Sequence, residues 1–322
     1  MRILLTNHYM RDLNGSETWV QTMAMELIRR DHDVSIFTLS KGRAADLMPC
    51  PVFTEAPSGP FDMIMVNHFT CLDAINDMDV EGLKVFTSHG PQHPLEQPRP
   101  GAHFYVAVSE EVQSNCWNKG FRASVIRNPI DLERFRPFID VDSKGFNQIQ
   151  GWEDVLSVVK DAHWMVAEAC QKAGLTFTIA HYQQSPIDDM SKVVPHHRIV
   201  VGGGRGILEA LACNCAAFSL NSIRAASERG IRVFGDGWVT APDDCEFDYD
   251  ISDFRKVNCS GRFTSQPWTV NTLAEALKEG VDRYPQAWGR PYIQENNDVR
   301  KIADRYLAFV EIAQRKREAV TA

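Results

Sequence analysis

Three adjacent glycines, an arginine and a glutamate one helical turn further on are the residues here best suited to holding an anion. They lie in VVGGGRGILEALACNC, Val200 to Cys215. Gly202, Gly203 and Gly204 leave backbone amides uncovered, and a helix-like apolar pattern starts at about Arg205. The positive end of such a helix binds phosphate, and Arg205 can add a charge-assisted fork. Glu209 falls on the same face as Arg205, where its carboxylate can accept bonds from a ribose diol. The competing reading is a tight turn with a surface Arg–Glu pair, which has less use for three glycines in a row. A dinucleotide fingerprint does not fit. Counted from Gly202, the third glycine of Gly-x-Gly-x-x-Gly would be Ile207; counted from Gly203, the second would be Arg205.

Other candidates sit where apolar runs end. RDLNGSET places Gly15 ahead of a helical pattern, either as a close-approach glycine or in a plain turn capped by Ser16 or Thr18. His68 closes FDMIMVNH and His89 closes LKVFTSHG. A histidine at a strand end can bond a sugar hydroxyl or a leaving phosphate, or can be a satisfied structural residue. HGPQHPLEQP, after the second of these, reads as a site-lining loop. The eight cysteines are scattered and form no CxxC pair, so no metal site is expected and free thiols in a reducing cytoplasm are the default.

Positioning such residues takes strands that end together. RILLTN, then TWVQTMAMELIRRDH (18–32), then DVSIFTL (33–39) form a β-loop-α-β unit, which implies a parallel sheet. The two histidine-terminated runs repeat the strand signal, FYVAVSEEVQSNCWNKGF (104–121) reads as a strand, a Ser109 cap and a helix, and ASVIRNPID (123–131) as a last strand. WEDVLSVVKDAHWMVAEACQKAG (152–174) reads as one long helix ending at Gly174, LTFTIAHY (175–182) as a strand, and SPIDDMSKVV as a short helix with proline in its first turn. HRIVVGG (197–203), RGILEALAC (205–213) and AAFSLN continue the alternation, and residues 295–320 form a closing helix. The expected architecture is α/β: two doubly wound Rossmann-like domains, 1–138 and 139–294, with a C-terminal helix over 295–322 that can pack back on the first, and a ligand in the interdomain cleft. The 322 residues suffice for this, and a net charge of -8 argues against a nucleic-acid-binding surface. No apolar run has the length of a membrane span.

Several stretches together resemble the retaining nucleotide-sugar glycosyltransferases of family 4, which have the GT-B fold. They are residues 1–38, VAVSEEVQSNCWNKGF with SVIRNPIDLERFRP, and GRGILEALACNCAAF. The second carries the family's Asn-Pro/Gly-x-Asp-x-x-x-Phe pattern at Asn128, Asp131 and Phe135; the third resembles its Leu-Glu-Ala-x-Ala-x-Gly run. The resemblance implies metal-independent transfer from a UDP or GDP sugar, with no resident cofactor and no protein general base. It implies that Gly15 lies near the diphosphate or acceptor, that His89 lies beside the transferred sugar, that the Gly204–Ile207 backbone, including Gly206, holds the diphosphate, and that Glu209 binds the ribose. Val201 stands where the family has a sugar-contacting glutamate, and Lys144-Gly145 is all that matches the basic stretch opening its second domain. GDGWVTAPDD and CSGRF match a shorter variant, in which Arg205 and Arg262 would supply the missing charge. The acceptor could be a glycan, a lipid-linked sugar, a small molecule or a modified nucleic-acid base. A non-catalytic sugar-nucleotide or glycan-binding protein and a nucleotide-sugar epimerase are the alternatives.

Overall fold

The computed structural model describes residues 1–55, 57–138, 153–159, 162–181, 184–224, 231–241 and 268–321. Lys144, Gly145, Arg262 and the CSGRF stretch lie outside the described residues. The chain forms two compact units, Met1–Asp131 with Asn297–Ala322, and Leu132–Asn296.

The first unit contains β1 (Arg2–Met10), α1 (Gly15–Arg29), β2 (Asp33–Lys41), α2 (Arg43–Asp46), β3 (Val52–Phe53), β4 (Met63–Asn67), α3 (Phe69–Asp77), β5 (Leu83–Ser88), β6 (Phe104–Ala107), α4 (Glu110–Asn118) and β7 (Ala123–Val125). Its strands pair in parallel in the order β3-β2-β1-β4-β5-β6-β7. The first strand lies inside the sheet, and the winding direction reverses between β1 and β4. In such sheets the ligand crevice opens at the carboxyl ends of the strands flanking that reversal.

The second unit contains β8 (Glu153–Ser157), α5 (His163–Ala173), β9 (Phe177–Ile179), β10 (His197–Gly202), α6 (Arg205–Ala212), β11 (Ala216–Arg224), β12 (Ile231–Trp238), α7 (Val270–Gly280) and α8 (Gly289–Asn296). The order is β12-β11-β10-β8-β9, parallel apart from the antiparallel edge strand β12. Here the winding reverses between β8 and β10. The last helix, α9 (Val299–Thr321), belongs to the first unit.

Strand pleating sorts each core. Ile3, Leu5, Met63, Met65 and Val85 pack on Trp19, Met23 and Leu27 of α1 and on Ile302 and Tyr306 of α9. Leu4, Ile64, Val66 and Phe86 face the other way, onto Leu72 and Ile75 of α3. In the second unit Val155, Ile199, Val201 and Phe218 pack on Val166 and Ala169 of α5 and on Leu273 and Leu277 of α7. Burial on both faces is why these strands read as continuous apolar runs.

Several element boundaries differ from the sequence reading. The long helix expected over 152–174 is a strand, β8, followed by α5. A short apolar run such as DVLSVV has no period that separates a buried strand from a helix. The expected C-cap is present, Gly174 taking φ 70. Helix α1 starts at Gly15, three residues earlier than expected, so its N-cap is Asn14 in place of Ser16 or Thr18, and the Asn14 amide donates to Glu17 Oε2 at 3.2 Å. The helix expected in SPIDDMSKVV is two 3-10 turns, Met190–Lys192 and Val194–His196, the first capped by Asp189. The strand expected over 123–131 pairs only through Val125, and the closing helix begins at Val299, four residues late. No helix among the described residues is long and apolar enough to cross a membrane.

Candidate functional site

In the second unit the glycine turn lies at the carboxyl end of β10, at the point where the winding reverses. The strand on the other side of that point, β8, ends in Ser157, and the next residue, Val158, donates its amide to Val201 O at 2.9 Å. This brings Val158 onto the turn. A Cβ on Gly202 would overlap Val158 Cγ2, and one on Gly206 would stand 2.9 Å from it. Gly204 takes φ 56, ψ -129, a conformation that side chains resist. Thus Gly202 and Gly206 permit close packing and Gly204 permits the bend into α6, while Gly203 is half-buried between them.

Arg205 and Glu209 open α6 as one unit. Arg205 Nε donates to Glu209 Oε1 at 2.7 Å, and the two side chains are only 9% and 8% exposed. This is a buried ion pair, which sets aside the competing reading of a surface Arg–Glu pair. Glu209 Oε2 accepts no hydrogen bond from a described residue. Burial raises the Glu209 carboxyl above its ordinary value, against the opposing pull of Arg205 and Arg134. Arg134 in turn meets Asp189 at 2.8 Å, and Asp189 accepts from the Ser191 amide at 3.1 Å. Burial pushes Asp189 up, but Ser191 and Arg134 together hold its carboxyl below the usual value. The Arg134–Asp189 pair escaped the sequence reading because 55 residues separate the partners. Val201 is fully buried in β10, facing the core, so nothing at this position replaces the family's glutamate.

The first unit gathers histidines at its own carboxyl edge. His68 follows β4 with φ 69 and is 5% exposed. The His8 backbone N–H, in β1, donates to His68 Nδ1 at 3.1 Å, and His8 Nδ1 lies 2.6 Å from Thr70 Oγ1. Burial first, then the charges of His89, His8 and His93, push His68 down to about 3. His8 is also lowered, by burial and then Arg11. His89 stands edge-on to Trp19 with ring centroids 5.5 Å apart. The loop after it is held by Gln97, which donates to Gly90 O at 3.2 Å and His93 O at 2.8 Å and accepts from Asn115 at 3.0 Å and from Lys119. Behind these rings Asn67 is fully buried with neither side-chain polar atom bonded, and Trp19 Nε1 is likewise unbonded. Such atoms mark places for ordered water or a polar ligand.

His8 and His93 were not among the sequence candidates. A signal was present for His8: TNH near the end of β1 repeats the VNH and TSH that close β4 and β5, and the three strands are neighbours in the sheet. Gly15 lies in the first turn of α1, and a Cβ there would meet nothing within 4 Å. Asn128 is buried, and its carbonyl accepts from Asn297 Nδ2 at 2.9 Å; nearby Asp131 meets Arg29 at 3.0 Å. These contacts tie the end of the first run of chain to α9 and α1. Among the described residues no group of three His, Cys, Asp or Glu side chains is placed to hold a metal, and Cys50, Cys71, Cys116, Cys170, Cys213 and Cys215 are free thiols.

No protein-family model matches the sequence, and no curated protein matches it. Solved structures do match over nearly the whole chain. AviGT4, a glycosyltransferase involved in avilamycin A biosynthesis, is 12% identical with a TM-score of 0.57, covering 96% of this chain and 97% of its own. An alpha-glucosyltransferase solved with UDP and a 13-mer DNA containing a central A:G mismatch is 11% identical with a TM-score of 0.56, covering 97% and 100%. The UDP-GlcNAc 2-epimerase of Neisseria meningitidis, solved with UDP-GlcNAc, is 11% identical with a TM-score of 0.53, covering 96% and 99%. The chain therefore has the GT-B fold of two Rossmann-like domains. The fold serves glycosyltransferases and epimerases alike, so function has to be argued from the site.

Proposed function

We propose that this chain transfers a sugar from a nucleoside diphosphate, of UDP or GDP type, to an acceptor, with retention of configuration and without a metal. The observation that carries this reading is the glycine turn into α6 with the buried Arg205–Glu209 pair at its start. In this reading the amides of Gly203, Gly204, Gly206 and Ile207 meet the diphosphate, and Arg205 offsets the charge that builds on it as the sugar departs. Glu209 Oε1 is already engaged by Arg205, which leaves Oε2 to accept from the ribose diol. On the first unit, His89 and the neutral imidazole of His68 are suited to hydrogen-bond sugar hydroxyls, and the acceptor is assigned to that unit. Rate then comes from leaving-group stabilisation and from holding donor and acceptor in line. A thermal-shift panel of nucleotide sugars tests the reading, since a ligand that binds only the folded state raises Tm. UDP- or GDP-sugars should stabilise the protein and CMP-sugars should not; no shift with any of them contradicts the reading.

Epimerisation of a nucleotide sugar is the second reading. It is supported by the fold shared with the epimerase and by the absence of a glutamate at Val201. A sugar epimer formed with no acceptor present would favour it over transfer.

A further inference from the structure

A concavity of about 480 Å³ lies on the first unit, lined by Trp117, Gly120, Phe121, Arg122, Ala123 and Ser124. These residues run from the last turn of α4 into the start of the edge strand β7. All seven strands are parallel, so the start of β7 marks the amino edge of the sheet, whereas His8, His68 and His89 mark the carboxyl edge. The concavity is therefore distinct from the candidate transfer site.

Two side chains in it are unusual. Trp117 is 56% exposed, although indole is a large apolar surface that folding ordinarily covers. Arg122 is exposed and makes no hydrogen bond, ion pair or ring contact with any described residue. Its neighbours are already engaged: Lys119 bonds Gln97, Arg127 pairs with Glu110 at 3.0 Å, and Phe121 packs on Tyr105 with ring centroids 4.9 Å apart. The turn is fixed by Gly120 at φ 86 and by the Phe121 amide donating to Cys116 O at 2.9 Å. An uncovered ring, an unpaired guanidinium and the Ser124 hydroxyl thus surround one space on a held backbone.

We propose that this concavity binds a sugar residue bearing an acidic group, and so anchors a glycan away from the transfer site. The C–H face of a pyranose ring is apolar and flat enough to lie on an indole, its rim hydroxyls suit Ser124, and a carboxylate, sulfate or phosphate suits the guanidinium fork. The volume lies within the range of about 300–1,000 Å³ usual for small-molecule sites. A nucleic acid would call for successive stacking rings along a positive groove, whereas this site offers one uncovered ring and one unpaired cation. A membrane surface would call for a protruding apolar face flanked by several cations, whereas this site is concave with one unpaired cation. The choice of a glycan rests on the sugar-transfer reading; the binding measurement does not.

The test is calorimetry on the full chain with an oligogalacturonide, a heparin-derived hexasaccharide and mannose 6-phosphate as acidic probes. Maltohexaose, a single-stranded DNA and anionic phospholipid vesicles are the comparisons. At least one acidic probe should bind, maltohexaose should bind more weakly, and Trp117→Ala and Arg122→Gln should each weaken the acidic probe at least tenfold. Trp117→Phe should keep most of the affinity, and UDP or GDP binding should be unchanged in all three variants. Failure of every acidic probe, binding indifferent to both substitutions, or preferential binding of DNA or vesicles through these residues overturns the proposal. If that occurs while UDP or GDP still binds, sugar transfer stands and only the anchor falls; absence of nucleotide binding strikes the transfer reading alone.

Discussion

The two units use the same sheet plan for opposite electrostatic ends. At the carboxyl edge of the first, the groups are neutral: His8 and His68 are held toward their uncharged forms, beside the buried amide of Asn67. At that of the second, the groups are backbone amides and charges: the glycine turn and the buried Arg205–Glu209 pair, with Arg134–Asp189 acting on it. Neutral donors and acceptors suit a polyhydroxylated ligand, which brings no charge to compensate. Oriented amides and a guanidinium suit an anion. The contrast also fixes which perturbations each unit tolerates, and the following outcomes probe it from the largest effect down.

The ion pair dominates. Arg205→Met should cost about 3–5 kcal/mol, because it leaves Glu209 buried and unpaired. The loss should be read by urea unfolding and should shrink as pH falls and Glu209 protonates. The double variant Arg205→Met/Glu209→Gln should recover most of it; a loss insensitive to pH and to the second change would break the ion-pair account. Next is the glycine turn. Gly202→Ala should cost toward the upper end of about 1–3 kcal/mol by driving a methyl into Val158, and Val158→Ala should rescue at least half in a double-mutant cycle. Additive losses would show that the contact is not the cause.

The first unit should answer to acid instead. The folded-state value of His68 is about 3, below the ordinary 6.5, so the unfolded chain binds more protons below pH 6.5. Stability is then fully present above that value and falls as pH drops toward 3, by about 2 kcal/mol between pH 7 and 5. His68→Asn, which tolerates φ 69, should flatten the urea-midpoint profile over this window. A profile as steep as wild type would shift the burden to other groups. The smallest effect is the α4 cap, where Ser109 Oγ accepts from the Val112 amide at 3.3 Å: Ser109→Ala should cost about 1 kcal/mol in Tm-derived stability and leave the pH profile untouched.

The sequence was most legible where chemistry and backbone geometry coincide. Three glycines between an apolar run and an amphipathic one read directly as a strand, turn and helix, because Gly204 needs a positive φ and Gly202 and Gly206 need room against Val158. The alternation of strands and helices gave the doubly wound plan for the same reason: each period reports which faces are covered. Legibility failed where the information is not local. Whether DVLSVV is strand or helix depends on β10 pairing beside it, and Arg134 reaches Asp189 only through the fold. The runs ending at His68 and His89 were visible singly, but their adjacency to each other and to His8 of β1 is a property of strand order, not of sequence spacing.

The central claim is that the turn into α6 receives a nucleoside diphosphate. Isothermal titration of the wild-type chain with UDP and with GDP, repeated on Glu209→Ala after its fold is checked by circular dichroism, tests it most directly. One of the two nucleotides should bind wild type, and the substitution should weaken that binding at least tenfold. Wild-type protein that binds neither nucleotide, or a Glu209→Ala variant that binds as tightly as wild type, would contradict it.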